Sequence, residues 1–161
     1  MQSTMPSGAE ELLMGRFIAS LGTKNEDGSI HLTAVWFVFE ASCFFVATSS
    51  RSRKGRNVIA RPQVSLMVDI RKPGSERGVV AMCTVEVIRG ETSREMNTRV
   101  HRRYMSEAAL ADPHAGGTLA AMDDITLKLT PTGWYAWDMR MLDEALFSGT
   151  MKTPGYLTPL D

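Results

Sequence analysis

The chain has 161 residues, with 18 basic and 18 acidic side chains and a formal charge of zero. That balance argues against the broad basic face of a general nucleic-acid binder and against a polybasic membrane surface, and no apolar run approaches the length of a membrane span. The length suits one domain, residues 1–161, large enough to bury an ordinary core without staples.

The elements follow in chain order. Residues 1–8 are polar and are expected to form a flexible or dimer-packing tail, as are residues 148–161. Glu10 to Met14 predicts a turn or two of helix, and Phe17 to Thr23 a first strand. Asn25-Glu26-Asp27-Gly28 is a turn signal. Ile30 to Phe39 reads as a second strand, apolar on both faces and therefore central in its sheet. Cys43 to Thr48 pairs with it as a hairpin. A helix is expected from Ser52 to Ala60, stopped by Pro62. Val64 to Asp69 is a short strand, and Arg71 to Gly78 a charged loop.

Val79 to Ile88 is the cleanest strand, with Val79, Ala81, Cys83, Val85 and Val87 on one apolar face. Thr92 to Leu110 predicts the main helix, with Thr92 and Glu95 as a capping box and a stripe at Met96, Val100, Tyr104 and Ala108. Asp112 to Gly117 breaks it. Ile125 to Thr130 alternates as an amphipathic strand. Pro131-Thr132-Gly133 is read as a turn, after which Trp134 to Trp137 resumes extended structure. Leu142 to Phe147 predicts a short helix. Many short strands, one main helix and no alternation of strand and helix indicate a mainly β fold, a barrel with attached helices.

The chemistry concentrates after the third apolar run, in Thr48-Ser49-Ser50-Arg51-Ser52-Arg53-Lys54-Gly55-Arg56-Asn57. Five cations and no acid lie between Arg51 and Arg61. Hydroxyls, a helix N-terminus, an Arg fork and a Lys point charge are the donors a phosphate monoester needs. Arg53 and Lys54 are the charge-neutralising pair, with Thr48, Ser49 and Ser52 as hydroxyl donors. The alternative is a solvated cationic helix face.

Cys43 and Cys83 sit in apolar runs without metal spacing and read as buried reduced thiols. His31, His101 and His114 are scattered, so no metal site follows from spacing. His101 stands beside Arg102 and Arg103 and is expected to face solvent. No catalytic residue is named. With no leader pattern at the N-terminus, the cytoplasm is the expected location.

The order of these pieces resembles the pyridoxamine 5'-phosphate oxidase-like superfamily of flavin-binding split barrels. Ile18 to Thr23 followed by Asp27-Gly28-Ser29 is similar to its opening hairpin. His31 to Phe37 is similar to the strand beside the flavin ring. Thr48, Ser52-Arg53-Lys54, Arg56-Asn57 and Arg61 to Leu66 resemble its phosphate run. Pro131 and Trp137 have the spacing of a proline and a tryptophan near the flavin. Ala34 and Cys83 depart from the common proline and glycine. The extended substrate-binding tail of the true oxidase is not recognisable, so vitamin B6 oxidation is not predicted.

The resemblance implies a split β-barrel homodimer with FMN at the interface, acting as an oxidoreductase on a small molecule. Thr33, Val35, Trp36 and Trp137 would then flank the ring. A deazaflavin coenzyme is the rival cofactor. A flavin- or haem-binding protein without catalysis is the rival in kind. No nucleic-acid or membrane partner is expected.

Overall fold

The computed structural model describes residues 4–159. Residues 1–3 and 160–161, the ends of the two expected tails, lie outside the described residues.

Seven antiparallel strands form one sheet. They are β1 (Ala19–Lys24), β2 (Ile30–Val35), β3 (Val38–Glu40), β4 (Cys43–Thr48), β5 (Gln63–Ile70), β6 (Arg77–Ile88) and β7 (Ile125–Asp138). Their spatial order is β2-β1-β5-β6-β7-β4-β3. Strands β2 and β3 therefore occupy opposite edges, although only Trp36 and Phe37 separate them in sequence. Laid flat, seven strands would be roughly 29 Å wide at about 4.8 Å per strand. Two extended residues reach only about 7 Å. The sheet must curl until its edges meet, which gives the split half-barrel.

This corrects the expectation of one central strand from Ile30 to Phe39. The run breaks where Trp36 and Phe37 carry the chain from one edge to the other. On the β2 edge Ile30 and Leu32 are consequently open in the protomer, 65% and 67% exposed, while Val35 and Phe37 at the break are buried.

Among the described residues there are six α-helices, α1 (Ala9–Met14), α2 (Arg53–Ala60), α3 (Gly90–Tyr104), α4 (Glu107–Ala111), α5 (Thr118–Met122) and α6 (Met139–Phe147), of which α1, α2 and α3 pack on the sheet. The main core fills the curl. Phe37, Phe44, Leu66, Leu127 and Trp134 are at its centre, and Leu12 and Leu13 of α1 close one end. The predicted face of β6 is the core face, with Val79, Ala81, Cys83 and Val85 all buried. A smaller cluster joins Val100 of α3 to Cys43 and Phe45 on the outer side of β4. Strand β4 is buried on both faces because the curl covers one and α3 the other, which explains its unbroken apolar run. Burial pushes the Cys83 thiol up to about 12, with Cys43 adding to the effect. Both cysteines are free and buried, as expected.

Helix α6 begins at Met139 rather than Leu142, and both ends of the main helix differ from the sequence reading. Helix α3 begins at Gly90, with Arg89 at its cap and no side-chain capping bond, so Thr92 and Glu95 form no capping box. It ends at Tyr104, where Ser106 starts the separate α4 by accepting from Ala109 N. A π-helical turn at Pro113–Gly117 follows.

Pro131-Thr132-Gly133 is not a turn. Strand β7 runs through it, and the register slips between Met82 and Cys83, which oppose Gly133 and Pro131. Thr132 is the extra residue of a β-bulge, which absorbs a proline with no N–H to donate. In the C-terminal segment, Thr150–Lys152 forms a 3₁₀ turn, and Met151 N donates to Asp143 Oδ1 at 2.9 Å.

Candidate functional site

Helix α2 starts where β4 ends. Ser52 caps it: Ser52 Oγ accepts from Gly55 N at 3.0 Å and donates to Ser49 O at 2.7 Å. Since that hydroxyl proton goes to Ser49, Thr48 Oγ1, 3.2 Å away, donates to Ser52. Thr48 and Ser52, two of the three hydroxyls expected to reach a phosphate, are thus engaged in building the loop. Ser49 Oγ accepts from Arg51 N at 3.2 Å. The groups left facing outward are the first-turn N–H groups of Arg53 and Lys54 and their side chains. Helix α2 has no acid in its first turn. The positive end of the helix therefore carries further positive charge, the reverse of what helix stability favours.

Gly55 makes this turn geometrically possible. A Cβ there would lie far inside contact distance of the Ser49 carbonyl oxygen, which is backbone and cannot swing aside. Gly55→Ala is expected to cost about 1–3 kcal/mol through forced backbone movement. It should also open the Ser49-to-Ser52 loop, a change that urea denaturation and ligand titration would each detect. Asn57, on the buried side of α2, donates to Thr23 Oγ1 at 3.0 Å and to Asn25 Oδ1 at 2.9 Å. It locks the helix to the β1–β2 hairpin. From the other side, Ser50 N and Oγ both donate to Asp124 at 2.6 Å. Those bonds hold the Asp124 carboxyl below the usual carboxylate range. The tie persists at mildly acid pH and is lost as pH falls through that lowered value.

A cleft of about 500 Å³ opens beside this turn. Val35, Trp36, Ala34 and Ile18 give it an apolar wall, Thr48 and Lys54 one polar end, and His101 with Asp123 another. Trp36 lies parallel to Tyr104, 5.1 Å between ring centroids. Tyr104 Oη is in turn tied to the backbone of Phe17 and Phe37, so the wall at the strand break is fixed.

Of the residues singled out from sequence, Val35, Trp36, Thr48 and Lys54 meet around this cleft. Ser49 and Ser52 form the adjoining loop. Arg53 is exposed at the mouth of the helix, and Thr33 is half-buried on β2. Trp137 stands elsewhere. It lies against Gly78 in a groove beside α1. Thr48 pairs with Ile125 at the start of β7, and Trp137 is near that strand's far end, on the order of 35 Å away at ~3.3 Å per residue. Trp134 is a core residue packed on Phe44.

His101 was expected in solvent and is instead 4% exposed. The inward face of α3 carries Ser93, Asn97, Val100 and His101 rather than the expected apolar stripe alone. Asn97 Nδ2 donates to Asp123 O at 2.8 Å and Ile125 O at 3.2 Å, and Thr126 Oγ1 lies 2.6 Å from Asn97 Oδ1. The spacing of Ser93, Asn97 and His101, each four residues on, was the available signal. The arginines beside His101 hid it, because they occupy different faces of the helix.

A family model for pyridoxamine 5'-phosphate oxidase matches residues 5–138. The chain belongs to the pyridoxamine 5'-phosphate oxidase family. Solved structures share its fold. An F420 reductase aligns with a TM-score of 0.66 and 23% identity, covering 81% of this chain and 98% of that one. A conserved hypothetical protein from Mycobacterium tuberculosis aligns at 0.70 and 22%, covering 88% and 92%. HutZ, the heme storage protein of Vibrio cholerae, aligns at 0.63 and 19%, covering 84% and 94%. At these identities the likeness is one of fold. No curated protein matches the chain. Among the described residues, no helix is long and apolar enough to cross a membrane, and no group of three His, Cys, Asp or Glu could hold a metal ion.

Proposed function

We propose that this protein binds FMN and acts as an oxidoreductase on a small organic substrate. One observation carries the reading. The acid-free first turn of α2, with Arg53 and Lys54 bearing no internal ion pair among the described residues, opens onto an apolar cleft. A phosphate at that turn would relieve the excess of positive charge and use the free N–H groups. A planar ring would cover the wall of Val35 and Trp36. Thr48, Ser49 and Ser52 shape the phosphate loop, and Thr33 lies on the strand flanking the ring. A bound flavin supplies the redox chemistry, while the chain's own residues bind it, orient it and exclude water.

The functional unit is proposed to be a homodimer. Ile30 and Leu32 lie on an edge strand, and Met141 and Leu146 on α6 are 72% and 69% exposed. An open apolar edge invites association, and a second copy of the chain would cover it. Trp137 reaches a flavin only across such an interface.

A deazaflavin coenzyme is the second reading. The exposed Arg51 beside the same turn would suit its longer acidic tail, whereas Arg56 donates to Arg51 O and is less free. Absorbance and fluorescence spectra of purified protein, repeated with added FMN and then deazaflavin, decide between them. Bound FMN with the flavin double band supports the proposal. Uptake of deazaflavin with FMN ignored moves the protein to the second reading. Binding of neither sinks both. Oxidation of a reduced nicotinamide by the loaded protein then separates an enzyme from a flavin or haem carrier.

A further inference from the structure

His101 and Asp123 form an ionisable pair that the phosphate and ring contacts do not use. His101 Nε2 lies 2.9 Å from Asp123 Oδ2. Asp123 is itself fixed through its carbonyl by Asn97. The imidazole lines the cleft beside the α2 turn and also a second cavity of about 320 Å³. It is thus a partition between two spaces rather than core filling.

The carboxylate sets the chemistry of the ring. Asp123 accepts the Nε2 proton, so neutral His101 keeps its lone pair on Nδ1, and protonation turns Nδ1 into a donor. Among the described residues Nδ1 has no hydrogen-bond partner. The charged groups around it are Lys54 and Asp123 in the cleft and Arg102 and Glu107 in the second cavity. On the elements packed against α3, Glu40 of β3 is paired with Arg99, and Lys128 of β7 with Glu86. Strand β4 carries only the Cys43 thiol, and α5 nothing titratable.

We propose that His101, oriented by Asp123, is the proton-linked contact of this cleft, hydrogen-bonding the heteroatom edge of a conjugated ring seated against Val35 and Trp36. The inference rests on the cofactor reading above and assigns that ring a specific partner. Protonated His101 donates to a ring carbonyl or nitrogen, so binding is tighter when the imidazole carries its second proton.

FMN titrations by fluorescence between about pH 5.5 and 8 on wild type, His101→Gln and Asp123→Asn test this. The second ionisation of the FMN phosphate is common to all three proteins and cancels in their ratios. Wild type is expected to gain about tenfold in affinity over His101→Gln as pH falls across that range, the scale of one charge-assisted hydrogen bond. Asp123→Asn should lose most of that gain. A second readout needs no variant: the His101 ring protons, followed by NMR in wild type, should show a titration midpoint that rises by about one pH unit with FMN bound. A flat ratio with FMN still bound, or a midpoint that FMN does not move, overturns the proposal and leaves the cofactor reading intact. Failure of wild type to take up FMN at any pH overturns both.

Discussion

Replacing Arg53 and Lys54 together by alanine is expected to weaken FMN binding by roughly 10²–10⁴-fold, since each charge-assisted contact is worth about 1.5–3 kcal/mol. The fold should not suffer. Neither side chain makes a hydrogen bond or ion pair among the described residues, and both project from the first turn of α2. Removing two cations from the positive end of a helix should raise the stability of the ligand-free protein by a few tenths of a kcal/mol, up to about 1. The measurements are a fluorescence titration with FMN and paired thermal melts with and without it. Wild type should gain melting temperature from FMN and the double variant should not. A double variant that purifies with its full complement of flavin would falsify the phosphate assignment.

Phe44→Ala is expected to cost about 3–5 kcal/mol, by lost transfer energy and by the cavity left behind. Phe44 is fully buried and is the hub of an aromatic cluster, with centroids 5.8 Å from Phe37, 4.7 Å from Phe39 and 6.0 Å from Trp134. Those partners come from β3, β7 and the strand break, so no single element can move in to fill the gap. Against a typical total of about 5–15 kcal/mol, the loss should be plain in urea denaturation. A cost below about 1.5 kcal/mol would mean that the curl repacks around the void, contrary to the rigidity its aromatic contacts imply.

The elements that were legible in the sequence are those whose cause is local. The Asp27-Gly28 turn, the stop at Pro62 and the alternating face of β6 each follow from a few adjacent residues, and each appears in the structure. The features that were not legible depend on partners distant in sequence. Ile30 to Phe39 has the composition of a central strand, but its role is set by the sheet's closure, which turns the run into two edges. Pro131-Thr132-Gly133 has turn chemistry, but the long pairing of β6 with β7 accommodates it as a bulge. Within the site, the cation run and the Val35-Trp36 wall were readable because they are contiguous. The His101–Asp123 pair was not, because it needs α3 to be rotated onto the start of β7 by Asn97 and Thr126. The engagement of Thr48 and Ser52 with each other also lay beyond the sequence, since the same hydroxyls suit a ligand or a cap.

The sheet order has a consequence for synthesis on the ribosome. Strand β7 is the last to emerge, yet it pairs with β6 on one side and β4 on the other. Until it leaves the exit tunnel, the β3–β4 hairpin has no neighbour to join, and β6 presents an open edge with an apolar face. The nascent chain therefore passes most of its translation with adhesive strand edges uncovered. Pairings such as Phe44 with Leu129 also close a long loop, which slows their formation. Truncation anywhere before Asp138 should leave a chain that aggregates rather than a smaller folded domain.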